Sequence, residues 1–282
     1  MNTFRKHIII VGTARSGTSW LSETIARQYR YRILFEPEQE TRTKRGFLIC
    51  DQWINNKNDS KEAYKYLKQV FSNKVDCDWI AQNSNRTLKR HLWPFIAKKY
   101  VIKFVRANLA AKFMNQTFGI PVIHLIRNPY DVIASQQQVK FPWLVDLSHF
   151  VAQTKLVQTL KDKFNYNLLE YKTLTTVQIL ALRWCIENVL ILETEARITH
   201  TYEVVRYEDL FKNIQTFYDL CNKFDLEPIS NLDHYYKQPS SKTHPESKLL
   251  SNSNKKSYLT DNDIDQINDI LDKFNTDLYP RK

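Results

Sequence analysis

Glycine is scarce in this chain, four in 282 residues, and with nine prolines the composition excludes a collagen-like or linker-rich protein. Cysteine is equally sparse. Cys50, Cys77, Cys185 and Cys221 lie far apart, without Cys-x-x-Cys pairing or histidines at ligand spacing, so a disulfide scaffold and a zinc module are excluded and the thiols read as buried or idle. No apolar run approaches the ~18 residues of a membrane-spanning helix, and the N-terminus goes almost directly into an apolar strand, leaving no space for a secretory leader. A soluble protein of a reducing, cytoplasmic setting is expected. Acids are also in deficit, 30 Asp and Glu against 41 Lys and Arg, for a net charge of +11. That charge gathers anions without saying which. The basic residues form scattered pairs, Lys44-Arg45, Lys98-Lys99 and Lys255-Lys256, with no interleaved aromatics, so a dedicated nucleic-acid binder is not expected.

What the chain does have is 43% hydrophobic residues, enough for one large α/β domain with a buried core. Short apolar runs mark strands at His7 to Val11, Arg32 to Phe35, Val101 to Phe104, Val122 to Ile126 and Thr201 to Arg206. Several are continuous rather than alternating, as in parallel strands covered on both faces. Helical spacing falls between them at Ser19 to Tyr29, Ser60 to Phe71, Leu109 to Phe118, Pro129 to Gln138, Leu147 to Lys163 and Thr173 to Thr194. A terminal helix, Thr260 to Phe274, repeats Ile264, Ile267, Leu271 and Phe274 on one face. The pattern predicts a single domain, residues 1–282, with a mostly parallel central sheet flanked by helices. Ahead of the last helix, Gln238 to Lys256 is Ser-, Asn- and Lys-rich and reads as a lid or binding loop.

The most informative stretch runs from His7 through Ile-Ile-Ile-Val-Gly12-Thr-Ala-Arg15-Ser16-Gly17-Thr18-Ser19-Trp20. A strand ends in a Gly-bounded turn that opens a helix, so backbone N–H groups and the helix dipole converge on one point, a cradle for a phosphate-like group. The NTPase loop requires a lysine after its second glycine. Here Thr18 stands there, and the loop's one cation, Arg15, precedes Gly17.

A second strand-to-helix junction repeats the architecture: Val122 to Ile126, then Arg127-Asn128-Pro129 and a helix carrying Ser135. Asn128 suits the N-cap and Pro129 the first helical position. Arg127 is thereby placed at the carboxyl end of a strand, where open α/β sheets bind ligands, with a fork suited to phosphate; an ion pair with Asp131 is the other reading.

With both junctions in view the chain resembles the sulfotransferases that use 3′-phosphoadenosine 5′-phosphosulfate (PAPS). Their first loop, a basic residue followed by Ser-Gly, two hydroxyl residues and an aromatic, is matched by Arg15 to Trp20, and their Arg-Asn-Pro turn with a Ser eight residues after the Arg by Arg127 and Ser135. Weaker features follow in order: Trp184 and Asn188 on a helix, Val205 to Leu210, and the last helix. The resemblance spans Gly12 to about Tyr279.

It implies roles. Arg15 would stabilise the bridging oxygen of the leaving phosphate; Ser16, Gly17, Thr18 and Ser19 would hold the 5′-phosphosulfate, Arg127 and Ser135 the 3′-phosphate, and Trp20 and Tyr207 would flank the adenine. Trp20 and Tyr207 also suit buried core positions. The Arg-Lys-Gly triplet of some members is absent, with Ser240, Ser241 or Lys242 as substitutes. Sulfuryl transfer moves a group of little negative charge, so cationic donors at the bridging oxygen suffice and no metal is expected, whereas a kinase requires Mg²⁺ and the loop lysine.

Leu34-Phe35-Glu36-Pro37 resembles the Phe-Glu-Pro segment of carbohydrate and bacterial sulfotransferases, so Glu36 is expected to be the base, with His91 as the alternative. His124, mid-strand, reads as a core residue. The expected acceptor is a sugar or glycolipid, bound by helical segments at about 40–100 and 140–175, with Trp53, Trp79, Trp93 and Trp143 as stacking surfaces. A phosphate-loop kinase and a non-enzymatic nucleotide or polyanion binder are the rival readings.

Overall fold

The computed structural model describes residues 4, 6–27, 31–57, 60–75, 77–82, 99–194, 198–227, 232–241 and 259–282. Five strands, β1 (Ile8–Val11), β2 (Tyr31–Phe35), β3 (Lys99–Lys103), β4 (Val122–Ile126) and β5 (Tyr202–Arg206), form one sheet in the order β2-β3-β1-β4-β5. All pairings are parallel, with Ile9 opposite Ile102 and Ile10 opposite Ile123. The expected strands are all present, and β4 has the expected ends. Every residue of β1 and β4 is buried, which is why their apolar runs do not alternate.

The two faces divide β1 by parity. Ile8 and Ile10 pack with Leu21 and Ile25 of α1 (Thr18–Ala26), while Ile9 and Val11 pack with residues of α2 (Lys61–Phe71) and α3 (Ala111–Phe118). Each isoleucine so buried contributes about 1.5–3 kcal/mol. A further cluster joins α4 (Pro129–Val139), α5 (Thr154–Phe164), α6 (Thr176–Cys185), α7 being separate (Ile214–Lys223, against α1), and the terminal α8 (Asp261–Lys273). On α8, Ile267, Ile270 and Leu271 face this core, joined by Phe274 at the helix end, and Thr260 caps the helix in a reciprocal box with Asp263.

Two helices differ from expectation. The continuous helix expected over Leu147 to Lys163 breaks into Ser148–Val151 and α5. At the break, the Gln153 side chain leaves the helix to donate to the carbonyls of Asp51 and His149 and to accept from the Trp53 N–H. The segment expected as Thr173 to Thr194 is α6 followed by a π-helical turn, Ile186–Leu190, and a short helix to Glu193. Tyr207–Lys212 and α7 are helices beyond those expected.

Candidate active site

At the carboxyl ends of β1 and β4 the chain turns away from the sheet twice, and a cavity of about 690 Å³ opens above both turns. Its lining includes Arg15, Gly17, Thr18, Ser19 and Trp20 from the first turn, Arg127, Asp131 and Ser135 from the second, Tyr207 after β5, and Glu36 after β2. The structure thus brings together residues from four strand ends.

Gly17 starts α1 with φ of 93°, and a Cβ there would lie 2.5 Å from the Tyr207 ring. Only glycine suits that place. Gly12 is confined differently: a Cβ would meet the Leu125 carbonyl at 2.5 Å, so glycine lets β1 end hard against β4. Arg15 also has a left-handed backbone, φ 76°, and so does Glu36, φ 42°. Strained residues persist where the surroundings over-determine them, commonly at functional sites.

The two turns are joined directly. Arg15 Nε donates to Ser135 Oγ at 3.0 Å, and Arg127 donates from a terminal nitrogen to the Arg15 carbonyl at 3.1 Å. Burial, and then the charge of Arg127, lower the pKa of Arg15. Arg127 makes no ion pair with Asp131; its guanidinium lies 4.6 Å from the Tyr207 ring centroid. Its buried Nε and the buried Ser16 Oγ have no hydrogen-bond partner among the described residues. A guanidinium with an unpartnered donor, bonded to the backbone of a second arginine in a turn that also holds an unpartnered hydroxyl, suits an anion.

The aromatic side of the cavity is built by Trp20 and Tyr207, edge-to-face at 5.7 Å, with Phe211 stacked on Tyr207 at 5.6 Å. Trp20 Nε1 donates to the Tyr236 carbonyl at 2.8 Å, so the indole belongs to the core and lines the cavity at once. Burial raises the Tyr207 phenol.

Glu36 follows β2, and the parallel register sets Phe35 beside Lys103 at the end of β3. One Glu36 oxygen pairs with the Lys103 ammonium and the other accepts from Gln39 Nε2 at 3.1 Å, so the carboxylate does not pair with Arg15. Lys103 was missed by sequence reasoning; the only hint is a lysine closing an apolar strand. Trp79 Nε1 donates to the Glu36 carbonyl at 3.2 Å. Of the tryptophans expected near an acceptor, Trp79 and Trp143 line this cavity, Trp53 lines a separate one of about 390 Å³, and Trp93 lies outside the described residues, as do His91 and Lys242. Ser240 lines the main cavity. Ser241 is held by Glu23, through its N–H at 2.9 Å and its hydroxyl at 2.6 Å.

Supporting groups lie behind these turns. Trp184 Nε1 donates to the Arg127 carbonyl at 3.0 Å, and Asn188, on the π-helical turn, donates to Thr13 Oγ1 at 2.8 Å. His124 is a core residue between Asn188 and Tyr202, lowered to about 4 by burial. Arg183, wholly buried, bridges Asp51 and Glu187, and Arg106 bonds Asp51 and Glu40. Burial raises Glu187 to about 7. Glu38, pushed to about 7 by burial and then by the Glu36 charge, accepts from the N–H groups of Val105 and Arg106, and so clamps the turn after β3.

No curated protein matches the sequence. Similar solved structures include the sulfotransferase domain from the curacin biosynthetic pathway, 18% identical over 82% of this chain and 76% of that one, with a TM-score of 0.40. A sulfotransferase from Alicyclobacillus acidocaldarius is 13% identical over 79% and 82% of the two chains, with a TM-score of 0.37. Mouse sulfotransferase SULT7A1, solved in complex with PAP, is 12% identical over 97% and 86%, with a TM-score of 0.39. The model of the sulfotransferase domain matches residues 5–274, nearly the whole length. On that match, which takes in both turns and every group described around the cavity, the chain belongs to the sulfotransferase domain family.

Proposed function

We propose that this enzyme transfers a sulfuryl group from PAPS to a hydroxyl of a sugar or glycolipid acceptor. The observation that carries the reading is the junction of Arg15, Ser135 and Arg127, with the orphan Arg127 Nε and Ser16 Oγ beside it. These residues fit a nucleotide with two separate phosphate groups, at its 3′ and 5′ positions. Arg15 lies at the bridging oxygen and neutralises charge on the leaving phosphate, and Ser16 to Ser19 surround the 5′-phosphosulfate from the start of α1. Arg127 and Ser135 take the 3′-phosphate, with Trp20 and Tyr207 around the adenine.

Glu36 takes the acceptor proton. The acceptor oxygen forms its bond to sulfur, the bond from sulfur to the bridging oxygen breaks, and PAP (3′-phosphoadenosine 5′-phosphate) leaves with that oxygen. Glu36 suits this role by its place in the cavity and by Lys103, which holds its carboxylate in position. Thr41, Arg42, Trp79, Phe141 and Trp143 line the cavity from the segments 40–100 and 140–175, the acceptor side of one domain spanning residues 1–282. A cytoplasmic setting belongs to the proposal; it suits the four free cysteines. Among the described residues no helix is long and apolar enough to cross a membrane, and no group of three His, Cys, Asp or Glu side chains could hold a metal ion.

Thermal unfolding with ligands tests the reading. A ligand at ~100 times its Kd adds about 2.7 kcal/mol to stability. A rise in Tm with PAP in EDTA, and none with Mg·ATP, is expected; stabilisation by Mg·ATP alone would establish the kinase reading in its place.

A further inference from the structure

The acceptor side of the cavity carries a charge that the donor nucleotide does not use. Arg42 is exposed at the cavity lining, its guanidinium 5.3 Å from the centroid of the Trp79 ring, and no carboxylate among the described residues lies within ion-pair distance. Lys103, the other cation on this side, is already paired with Glu36. A guanidinium lying over an aromatic ring leaves its N–H edge available, and that edge is the fork that grips carboxylate, sulfate or phosphate.

The position of Arg42 is set by the same turn that presents Glu36. The Gln39 N–H donates to the Glu36 carbonyl at 3.2 Å, and the Arg42 N–H to the Gln39 carbonyl at 3.0 Å. Thr43 Oγ1 is within hydrogen-bond distance of the carbonyls of Pro37 and Gln39. Gly46 packs so tightly beneath that a Cβ would lie 2.2 Å from Thr43 Oγ1. Trp79, which carries Arg42 on its ring, is itself held by the Glu36 carbonyl. One rigid turn therefore presents both the proposed base and the one cation on the acceptor side without a carboxylate partner among the described residues.

We infer that Arg42 reads a negative charge on the acceptor, so that the substrate is an acidic molecule, an acidic sugar in the first place, whose reacting hydroxyl sits at Glu36 and whose anion sits at Arg42. The inference rests on the sulfotransferase reading of the same cavity.

The test is calorimetric titration, at saturating PAP, of three pairs of probes that differ in one charge: p-nitrophenyl glucuronide and glucoside, p-nitrophenyl galacturonide and galactoside, and 4-hydroxybenzoate and 4-hydroxybenzyl alcohol. The acidic sugar of at least one pair is expected to bind about tenfold more tightly than its neutral partner. Arg42→Ala should abolish that preference without changing the affinity for PAP, and Arg42→Lys should restore part of it. A preference confined to the hydroxybenzoate pair would keep the role of Arg42 and overturn the sugar. Equal binding within every pair, no binding by any acidic probe, or a preference that survives Arg42→Ala would overturn the inference. If PAP itself fails to bind the wild type, it is the sulfotransferase reading that fails.

Discussion

Arg15 Nε and Ser135 Oγ, 120 residues apart in sequence, meet at 3.0 Å at the mouth of the cavity. The contact joins two turns that are built separately, and Arg127 joins them again through the Arg15 carbonyl. Burial first, and then the positive charge of Arg127, lower the pKa of Arg15, so the free protein disfavours a second cation at this junction. An anion bound between the two guanidiniums would offset that charge.

Arg15→Ala and Arg127→Ala should therefore each weaken PAP binding. Loss of a charge-assisted, partly buried phosphate contact corresponds to a tenfold or greater rise in Kd, about 1.5–3 kcal/mol. Calorimetric titration reads this directly. Wild-type affinity in both variants would place the nucleotide elsewhere.

Glu36→Gln separates binding from chemistry. The amide keeps the shape of the side chain and removes the proton acceptor, so PAP affinity should be preserved while sulfuryl transfer falls by about 10²-fold or more. Labelled PAPS with a panel of glycans measures both the acceptor and the loss. Unchanged turnover would pass the role to another group, His91 first.

Much of this site could be read in advance, for physical reasons that differ by residue. β4 and its turn were legible because a fully buried parallel strand must be apolar throughout and because Asn128 and Pro129 mark a helix start by capping chemistry; Asn128 does accept from the Tyr130 N–H. Lys103 was not legible. Its pairing with Glu36 follows from the register of β2 on β3, which no local pattern encodes. The left-handed backbones of Arg15 and Glu36 were equally hidden, since neither residue type announces a positive φ. α7 differs: Phe217, Leu220, Cys221 and Phe224 recur at helical spacing and all pack into the core, so its apolar face is encoded locally.

Gly17→Ala should damage both stability and binding. The added methyl group would meet the Tyr207 ring at 2.5 Å on a backbone at φ 93°, and a left-handed conformation alone costs an alanine about 1–2 kcal/mol. Denaturant unfolding should show at least that loss. In a Tyr207→Ala background the steric part disappears, so the penalty should shrink, and a penalty of equal size in both backgrounds would mean that the ring does not confine this turn.

Acid should expose His7. Its ring is buried with Nε2 at 3.0 Å from the Phe71 carbonyl, and burial lowers it to about 4 from an ordinary 6.5. Between those values the unfolded chain binds a proton that the folded chain refuses, so stability falls as pH drops from 6.5 towards 4. The full loss from this residue is on the order of 3 kcal/mol. His124, lowered to about 4 as well, adds to the slope. Glu38 and Glu187, each raised to about 7, oppose it, because there the folded state binds the extra proton between 4.5 and 7. The isolated contribution is therefore read as a difference: unfolding free energies measured across pH 4 to 7 should fall less steeply for His7→Gln than for the wild type, with the two curves diverging below pH 6.5. Parallel curves would mean that His7 titrates alike in the folded and unfolded chains, and that the ring is not sealed from solvent between Phe71 and Tyr100.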